Sequence, residues 1–113
     1  MMMEITVRDE GDTKVVIVDG KLDTNSTPLV ESEINALLEG GADKLLVNFE
    51  RISYISSSGL RLLLATAQIL KGSGGELRVC SLNEMATEVF EISGFSSIIK
   101  VFASEQDALG GAS

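Results

Sequence analysis

The chain has 113 residues, which is the size of one ordinary domain and too small for two independent hydrophobic cores. Its composition, 44% hydrophobic and 23% charged, is typical of a globular protein and excludes a disordered or low-complexity chain. The formal net charge is −8, and the scattered Lys and Arg residues form no basic stripe for a phosphate backbone, which argues against a nucleic-acid partner.

Two short runs of β-branched residues open the chain. Residues 5–7 and 14–18 are separated by a polar segment with one glycine, a pattern that predicts two strands joined by a hairpin. Thr27 followed by Pro28 predicts the N-cap and the first-turn proline of a helix. Apolar residues then recur at helical spacing until the glycine pair at 40–41, where this first amphipathic helix ends.

The middle of the chain contains its most apolar segments. Residues 44–49 form a nearly continuous apolar run, which is typical of a central strand covered on both faces. A turn around residues 53–58 is expected to lead into a largely buried helix over residues 60–70. The glycine-rich segment 72–75 follows this helix, whereas phosphate-binding loops follow a strand, so we interpret the segment as a helix end.

The last third of the chain continues the alternation of strands and helices. Residues 77–80 predict a strand, and the capping-box spacing of residues 81–84 predicts the start of a helix. That helix carries Met85, Val89 and Ile92, and Gly94 is expected at its end.

A final strand over residues 98–102 and a short helix complete the predicted elements. Ser104 and Asp107 have the spacing of a second capping box, and residues 110–113 are expected to fray. The sequence therefore predicts one α/β domain over residues 1–113 with an ordered core of about 3–109. An N-terminal hairpin followed by alternating helices and strands predicts a mixed sheet of about five strands packed with about four helices.

The residue types that are missing exclude much familiar chemistry. With no His and a single Cys, the chain alone cannot build a structural zinc site, a Ser-His-Asp triad or a Cys-His pair, and we expect no metal or cofactor. Cys80 lies in an apolar stretch, where a lone thiol is usually a small buried side chain. The apolar stretch 60–70 is too short to cross a bilayer, and the first residues lack a signal-peptide pattern. We therefore expect a soluble protein of the reducing cytoplasm.

The segment between the central strand and the buried helix is the most unusual part of the chain. Ser56, Ser57 and Ser58 bring three hydroxyl groups to one helix start, where free N–H groups and the helix dipole favour an anion or a phosphate. Gly59 has no side chain, so a large group could approach the backbone closely. Taken alone, the segment is more typical of one capping serine and two loop residues than of a binding site.

A second polar segment, Asp23-Thr24-Asn25-Ser26, follows the second strand and precedes the first helix. By itself it is typical of a polar turn with a helix cap. Because this turn and the serine segment both follow strands and precede helices, we expect them to share one edge of the sheet and to form one surface.

The set of motifs resembles the STAS domain, and within it the bacterial anti-sigma factor antagonists. The matching pieces are Gly20-Lys21-Leu22-Asp23 with Pro28-Leu29, residues 52–60, Gly74-Gly75-Glu76-Leu77 and residues 90–95. The resemblance implies a small α/β protein without catalytic activity that works by partner switching. Its implied partners are an anti-sigma factor that is also a serine kinase of the histidine-kinase-like ATPase type, and a PP2C-type phosphatase that reverses the phosphorylation.

The resemblance also assigns roles to individual residues. The family's loop usually reads Asp-Ser-Ser/Thr-Gly, and alignment on Gly59 makes Ser57 the phosphate acceptor, ahead of its neighbours Ser58 and Ser56. Ser56 stands in place of the family's aspartate, and Asp23 matches the acidic residue that borders the loop. The expected partner-binding residues are Asp23, Thr24, Asn25, Ser56, Ser57, Ser58, Gly59 and Arg61. Arg61 follows Ser57 by four residues, a spacing at which it could shield a phosphate on the same helix.

Two other functions remain open at the level of the sequence. The serine at position 56 slightly favours a non-phosphorylated STAS accessory subunit of a lipid-transport ATPase complex. A nucleotide-binding or weakly hydrolytic module that uses the serine segment is the third interpretation, although no GxSxG elbow is present.

Overall fold

A computed structural model of the protein describes residues 3–111. The strands are β1 (Glu4–Glu10), β2 (Thr13–Leu22), β3 (Lys44–Ile55), β4 (Glu76–Cys80) and β5 (Lys100–Phe102), and the helices are α1 (Thr27–Glu39), α2 (Ser57–Gly72) and α3 (Glu84–Ser93). A short 3-10 helix (Phe95–Ser97) precedes β5, and a final helical turn (Asp107–Gly111) follows it. The predicted α/β fold with a mixed five-stranded sheet is confirmed.

The N-terminal hairpin is present, with longer strands than predicted. β1 pairs antiparallel with β2, and Glu10 lies opposite Thr13, so the connecting turn contains only Gly11 and Asp12. Gly11 has a φ of +63°, which suits the tight turn. The strands extend into polar sequence because the ladder is made by backbone groups, while their outward side chains face solvent.

All three α-helices pack on one face of the sheet. The strand order is β1-β2-β3-β4-β5, and each pair from β2 to β5 is parallel. Because the sheet grows in one direction and such crossovers are right-handed, every connecting helix falls on the same side. The main core lies there, between α1, α2 and α3 and the inner side chains of β2, β3 and β4.

The opposite face of the sheet has a smaller core. Val15, Leu46 and Cys80 point to this side and are fully buried beneath Ala108, which lies in the final helical turn. β3 is the middle strand, and residues 45–49 are all buried, as expected for a strand covered on both faces.

The boundary between β3 and α2 differs from the prediction. β3 continues to Ile55 because its end pairs with β2, Leu22 lying opposite Ile55, and α2 begins at Ser57. The prediction of a turn over residues 53–58 is therefore wrong, and so is the prediction that the helix starts at residue 60. The polar residues that suggested a turn occupy an exposed strand end and a helix cap instead.

Two predicted helix caps are also corrected. Ser26, not Thr27, is the N-cap of α1. Asn83, not Ser81, is the N-cap of α3, since its side-chain oxygen accepts the N–H of Ala86 at 2.8 Å. A capping serine at 81 would displace the helix start by two residues.

The ends of α3 and β5 follow from local backbone geometry. Gly94 ends α3 in the left-handed conformation, as predicted. The backbone N–H groups of Ile98 and Ile99 donate to the carbonyl of Phe95 at the end of the 3-10 helix, so β5 begins at Lys100 and not at residue 98. Ser104 Oγ accepts the N–H of Asp107 at 3.1 Å, as its spacing suggested. Of the predicted frayed tail, residues 112 and 113 lie outside the described residues, and residues 110 and 111 end the final turn.

The glycine-rich segment after α2 is a helix end, as interpreted from the sequence. Gly74 has a φ of +86°, and Gly75 approaches the start of β3 so closely that a Cβ would lie 1.9 Å from the carbonyl oxygen of Asp43. Within residues 3–111, no helix has the length and apolar character needed to cross a membrane.

Candidate functional site

The serine segment and the polar turn lie side by side at one edge of the sheet. β2 and β3 are parallel neighbours whose last residues pair, so the segments that leave them emerge together. The backbone N–H of Ser56 donates to the carbonyl of Leu22 at 2.8 Å, which joins the start of α2 to the end of β2. The expectation that the two polar segments share one surface is confirmed.

Ser56 is the N-cap of α2. Its side-chain oxygen accepts the N–H of Gly59 at 3.2 Å, and the residue is buried. Ser and Asp are equally good N-caps, because both place an oxygen acceptor over the first free N–H groups. Ser56 therefore caps the helix as an aspartate at that position could, and its hydroxyl faces the helix start.

Ser57 is the first residue of α2 and is exposed to solvent. The first turn of a helix leaves backbone N–H groups without intrahelical acceptors, and the helix dipole adds positive potential there. α2 has no acidic residue in its first turn, so no carboxylate of that turn competes for these groups. A negatively charged group on Ser57 would be electrostatically favoured by this helix start.

Ser58 connects three parts of the site. Its hydroxyl oxygen lies 3.4 Å from Thr24 Oγ1 in the polar turn and accepts a long hydrogen bond, also 3.4 Å, from Arg61 Nη2. Arg61 is exposed and lies one turn into α2, so its guanidinium already reaches back toward the helix start. The sequence spacing suggested a link between Arg61 and Ser57, and the structure shows the contact with Ser58.

Asp23 organises the polar turn. Its carboxylate accepts the N–H groups of Asn25 and Ser26 at 2.9 and 3.0 Å, and its own N–H donates to Ser26 Oγ at 2.9 Å. The hydrogen bond from the backbone N–H of Ser26 is the main reason that the pKa of Asp23 lies below its ordinary value. The polar turn is thus rigidly held in the way that a turn with a cap requires, while Thr24 and Asn25 at its tip are exposed.

Gly59 does not leave room for an approaching molecule. It is buried, and an added Cβ would lie 2.8 Å from Leu22 Cγ and 3.2 Å from Ile55 Cγ2. The expectation that its missing side chain opens the backbone to a partner is wrong, because side chains of β2 and β3 already fill that space. Gly59 is needed for the close packing of α2 against the sheet.

The exposed apolar side chains beside the serine segment were not predicted from the sequence. Tyr54 is 45% exposed and Met85 60% exposed, and both line a small depression together with Ile55 and Leu60. Ile92 continues this surface along α3 with 87% of its area exposed, whereas Ala86 and Phe90 form the buried face of the helix. The sequence of α3 contained a signal for this surface. Its apolar residues lie on two faces of the helix, whereas one apolar face is enough to pack a helix on a core.

The chain is similar to a known family and to known proteins over most of its length. The model of the STAS domain family matches residues 4–108. BtrV of Bordetella bronchiseptica is 34% identical over 106 residues, which cover 94% of this chain and 91% of that protein. The anti-sigma-B factor antagonist of Bacillus subtilis is 29% identical over 106 residues, which cover 94% of this chain and 96% of the relative.

A solved structure shares the fold. The Bacillus cell fate determinant SpoIIAA, in its phosphorylated form, superposes with a TM-score of 0.77 at 24% identity over 97% of this chain and all of that one. The B. subtilis name describes an antagonist of a regulatory factor, which agrees with the expectation of a non-enzymatic protein. The match spans nearly the whole described fold, from β1 to the final helical turn, and the chain therefore belongs to the STAS domain family.

Proposed function

We propose that this protein is an anti-sigma factor antagonist of the cytoplasm that works by partner switching. In its unmodified form it binds an anti-sigma factor that is also a serine kinase of the histidine-kinase-like ATPase type. That partner phosphorylates Ser57, the complex then dissociates, and a PP2C-type phosphatase restores the binding form.

The position of Ser57 is the observation that supports this proposal most strongly. Its side chain is exposed at the start of a 16-residue helix, while the serine before it is buried as the cap. A kinase can reach this hydroxyl without unfolding the chain. The phosphoserine would carry about −1.5 to −2 charges, which the free N–H groups of the helix start can stabilise.

The surroundings of Ser57 explain why one phosphate would be enough to dissociate a complex. The apolar depression beside Tyr54 and Met85 and the polar turn at Asp23 lie on either side of the helix start, so a partner that covers both also covers Ser57. Burying an imperfectly paired dianion in such an interface costs several kcal/mol. A cost of about 4 kcal/mol lowers the affinity about a thousandfold.

The relatives agree with this regulatory role. B. subtilis has a relative named as an anti-sigma-B factor antagonist, and SpoIIAA shares the fold in a phosphorylated form. Aligned on Gly59, the acceptor position of the family corresponds to Ser57, and Ser56 before it can cap the helix as an aspartate would.

The test begins by capturing partners of the unmodified protein from its native cytosol and identifying both the partner and the phosphorylated residue by mass spectrometry. The identified partner is then purified and titrated against Ser57→Ala and Ser57→Asp. We expect Ser57→Ala to bind like the wild type and Ser57→Asp to lose at least a hundredfold in affinity.

A matched control separates the position of the charge from the charge itself. Ser96 is exposed in the 3-10 helix after α3, and Ser96→Asp adds the same charge away from the start of α2. We expect this variant to bind normally. Tight binding by Ser57→Asp, or phosphate found only on another residue, would refute the switch.

A further inference from the structure

The second face of the sheet is covered by the end of the chain. Residues 104–111, which we call the C-terminal strap, follow β5 and place Ala108 and Leu109 over the apolar patch formed by Val15, Leu46 and Cys80. Ala108 and the three patch residues are almost completely buried. Without the strap, this apolar part of the sheet would face solvent.

Polar contacts attach the strap to three strands. Glu105 forms an ion pair with Arg8 of β1, and its other carboxylate oxygen accepts a hydrogen bond from Asn48 Nδ2 of β3 at 2.8 Å. Arg78 of β4 donates to the carbonyl oxygen of Ala108 and also lies 5.5 Å from the centre of the Phe102 ring. Glu105 is thus the side chain that bridges the edge and the centre of the sheet.

The strap is separate from the main core. The side chains that hold α1, α2 and α3 to the sheet form the main core. This cluster contains none of the strap residues 104–110. The strap itself is a single irregular helical turn, and Gly110 interrupts it with a φ of +138°. A segment of this length has little helical stability of its own and depends on its contacts with the sheet.

We propose that the C-terminal strap is a releasable cover that opens as a unit while the rest of the domain stays folded. Opening breaks the contacts of Glu105 and uncovers the patch of Val15, Leu46 and Cys80. The protein therefore has a second apolar surface that exists only in the open form, on the side of the sheet opposite to the helices.

Cys80 reports on this opening, because it is the only thiol in the chain and is completely buried beneath the strap. Burial raises the pKa of the Cys80 thiol, with the nearby carboxylates of Glu105 and Glu50 acting in the same direction. In the closed form the thiol is both inaccessible and protonated. Its reaction with a chromogenic aromatic disulfide reagent thus measures the open fraction.

The experiment follows the labelling rate of Cys80 in the full chain at increasing urea concentrations below the unfolding transition. Local opening exposes little surface, so we expect the rate to be nearly independent of urea in this range. If the rate instead rises with the full urea dependence of global unfolding from the lowest concentration, Cys80 is exposed only when the domain unfolds, and the strap does not open alone.

Two variants weaken the strap by different contacts. Glu105→Gln removes the ion pair with Arg8, and Leu109→Ala removes part of the apolar cover. Loss of a charge-assisted hydrogen bond or of a few buried methyl groups corresponds to about a tenfold faster labelling rate in either variant. Global unfolding in urea, followed by circular dichroism, should change much less than the labelling rate.

Glu88→Gln serves as the control, since Glu88 is exposed on α3 across the sheet from the strap. We expect it to label like the wild type. Unchanged labelling in both strap variants, or a change no larger than the change in global stability, would overturn the proposal. These outcomes are independent of Ser57 and of partner binding.

Discussion

Ser56 and Ser57 are neighbours in sequence, yet the helix start gives them different surroundings. Ser56 is buried and its hydroxyl oxygen caps the helix, whereas Ser57 is exposed at the first helical position. A substitution at Ser56 should therefore change the stability of the domain, and a substitution at Ser57 should change its interactions. The two effects can be measured separately.

Ser56→Ala removes the acceptor for the N–H of Gly59 and should lower the free energy of unfolding by about 1 kcal/mol. Ser56→Asp keeps an acceptor at the cap and should recover most of that loss. Because the chain contains no Trp, urea unfolding is best followed by circular dichroism. Ser57→Ala is the control and should unfold like the wild type. Equal destabilisation by Ser56→Ala and Ser56→Asp would contradict the capping role.

Gly59 and Gly72 lie at opposite ends of α2 and form a natural comparison. A Cβ at Gly59 would press against Leu22 and Ile55, both held in the core, so Gly59→Ala should destabilise the domain by about 1–3 kcal/mol. A Cβ at Gly72 would meet nothing within 4 Å, so Gly72→Ala should stabilise it by about 0.4–1 kcal/mol through the lower entropy of the unfolded chain. Opposite shifts in the urea midpoint are the expected result, and shifts of the same sign would be inconsistent with the packing described.

Asp23 makes the stability of the domain depend on pH. Its folded-state pKa is lowered by hydrogen bonds from backbone N–H groups, chiefly that of Ser26. A group with a lowered pKa contributes stability above its unfolded pKa and loses that contribution as the pH falls through the folded value. Asp23→Asn keeps an oxygen acceptor for the turn but removes the charge.

The difference in unfolding free energy between the wild type and Asp23→Asn should therefore be largest at neutral pH, should decrease as the pH falls below about 4, and should disappear only below the lowered folded-state pKa of Asp23. Urea unfolding at a series of pH values measures it. Glu31→Gln, an exposed substitution on α1, controls for general charge effects. A difference that stays constant from pH 7 to pH 3 would show that the charge of Asp23 contributes nothing.

At the level of secondary-structure elements, the first turn of α2 is arranged to accept a charge. Arg61 Nη2 already contacts Ser58 Oγ at 3.4 Å, close to the exposed Ser57. In the phosphorylated protein we expect Arg61 to pair with the phosphate. Arg61→Ala should then lower the melting temperature of the phosphorylated form more than that of the unmodified form, and should speed dephosphorylation. Identical melting and dephosphorylation in the variant and the wild type would exclude this pairing.

The order and type of the elements could be predicted from the sequence, because each has a strong local pattern. The apolar run of β3, the helical spacing in α1 and the glycine at the end of α3 depend on local physical preferences. The surface shared by the serine segment and the polar turn could also be predicted, since parallel strands bring their following segments to the same edge.

The element boundaries and the outward surfaces could not be predicted, because they depend on contacts between distant residues. β3 extends to Ile55 through pairing with β2, a partner that local sequence does not reveal. In the sequence, Gly59 suggested an accessible backbone, but in the structure the side chain of Leu22 fills the space beside it. Packing against the rest of the domain also determines which apolar residues of α3 face solvent. It leaves Met85 and Ile92 exposed.

For the whole molecule, the charge is unevenly distributed around the proposed partner surface. The net charge is −8, and neither α1 nor α3 contains a Lys or Arg. Glu84, Glu88 and Glu91 are exposed on α3 beside the apolar side chains of Met85 and Ile92. The proposed binding surface therefore combines an apolar centre with acidic side chains, which fits a partner with an apolar patch bordered by basic residues.

This arrangement predicts that salt slows formation of the complex more than it speeds dissociation. Between 0.05 and 0.5 M salt the screening length shrinks to a few ångströms, so the association rate constant should fall about tenfold while the dissociation rate changes less than about twofold.

The triple variant Glu84→Gln, Glu88→Gln and Glu91→Gln should associate more slowly at low salt and show a flatter salt dependence, because the steering charges on α3 are gone. The matched variant Glu31→Gln, Glu33→Gln and Glu39→Gln removes the same charge from α1, and it should retain more of the salt dependence. Stopped-flow measurements with the purified partner distinguish the cases: equal salt dependence in the wild type and in the α3 variant would mean that α3 does not face the approaching partner.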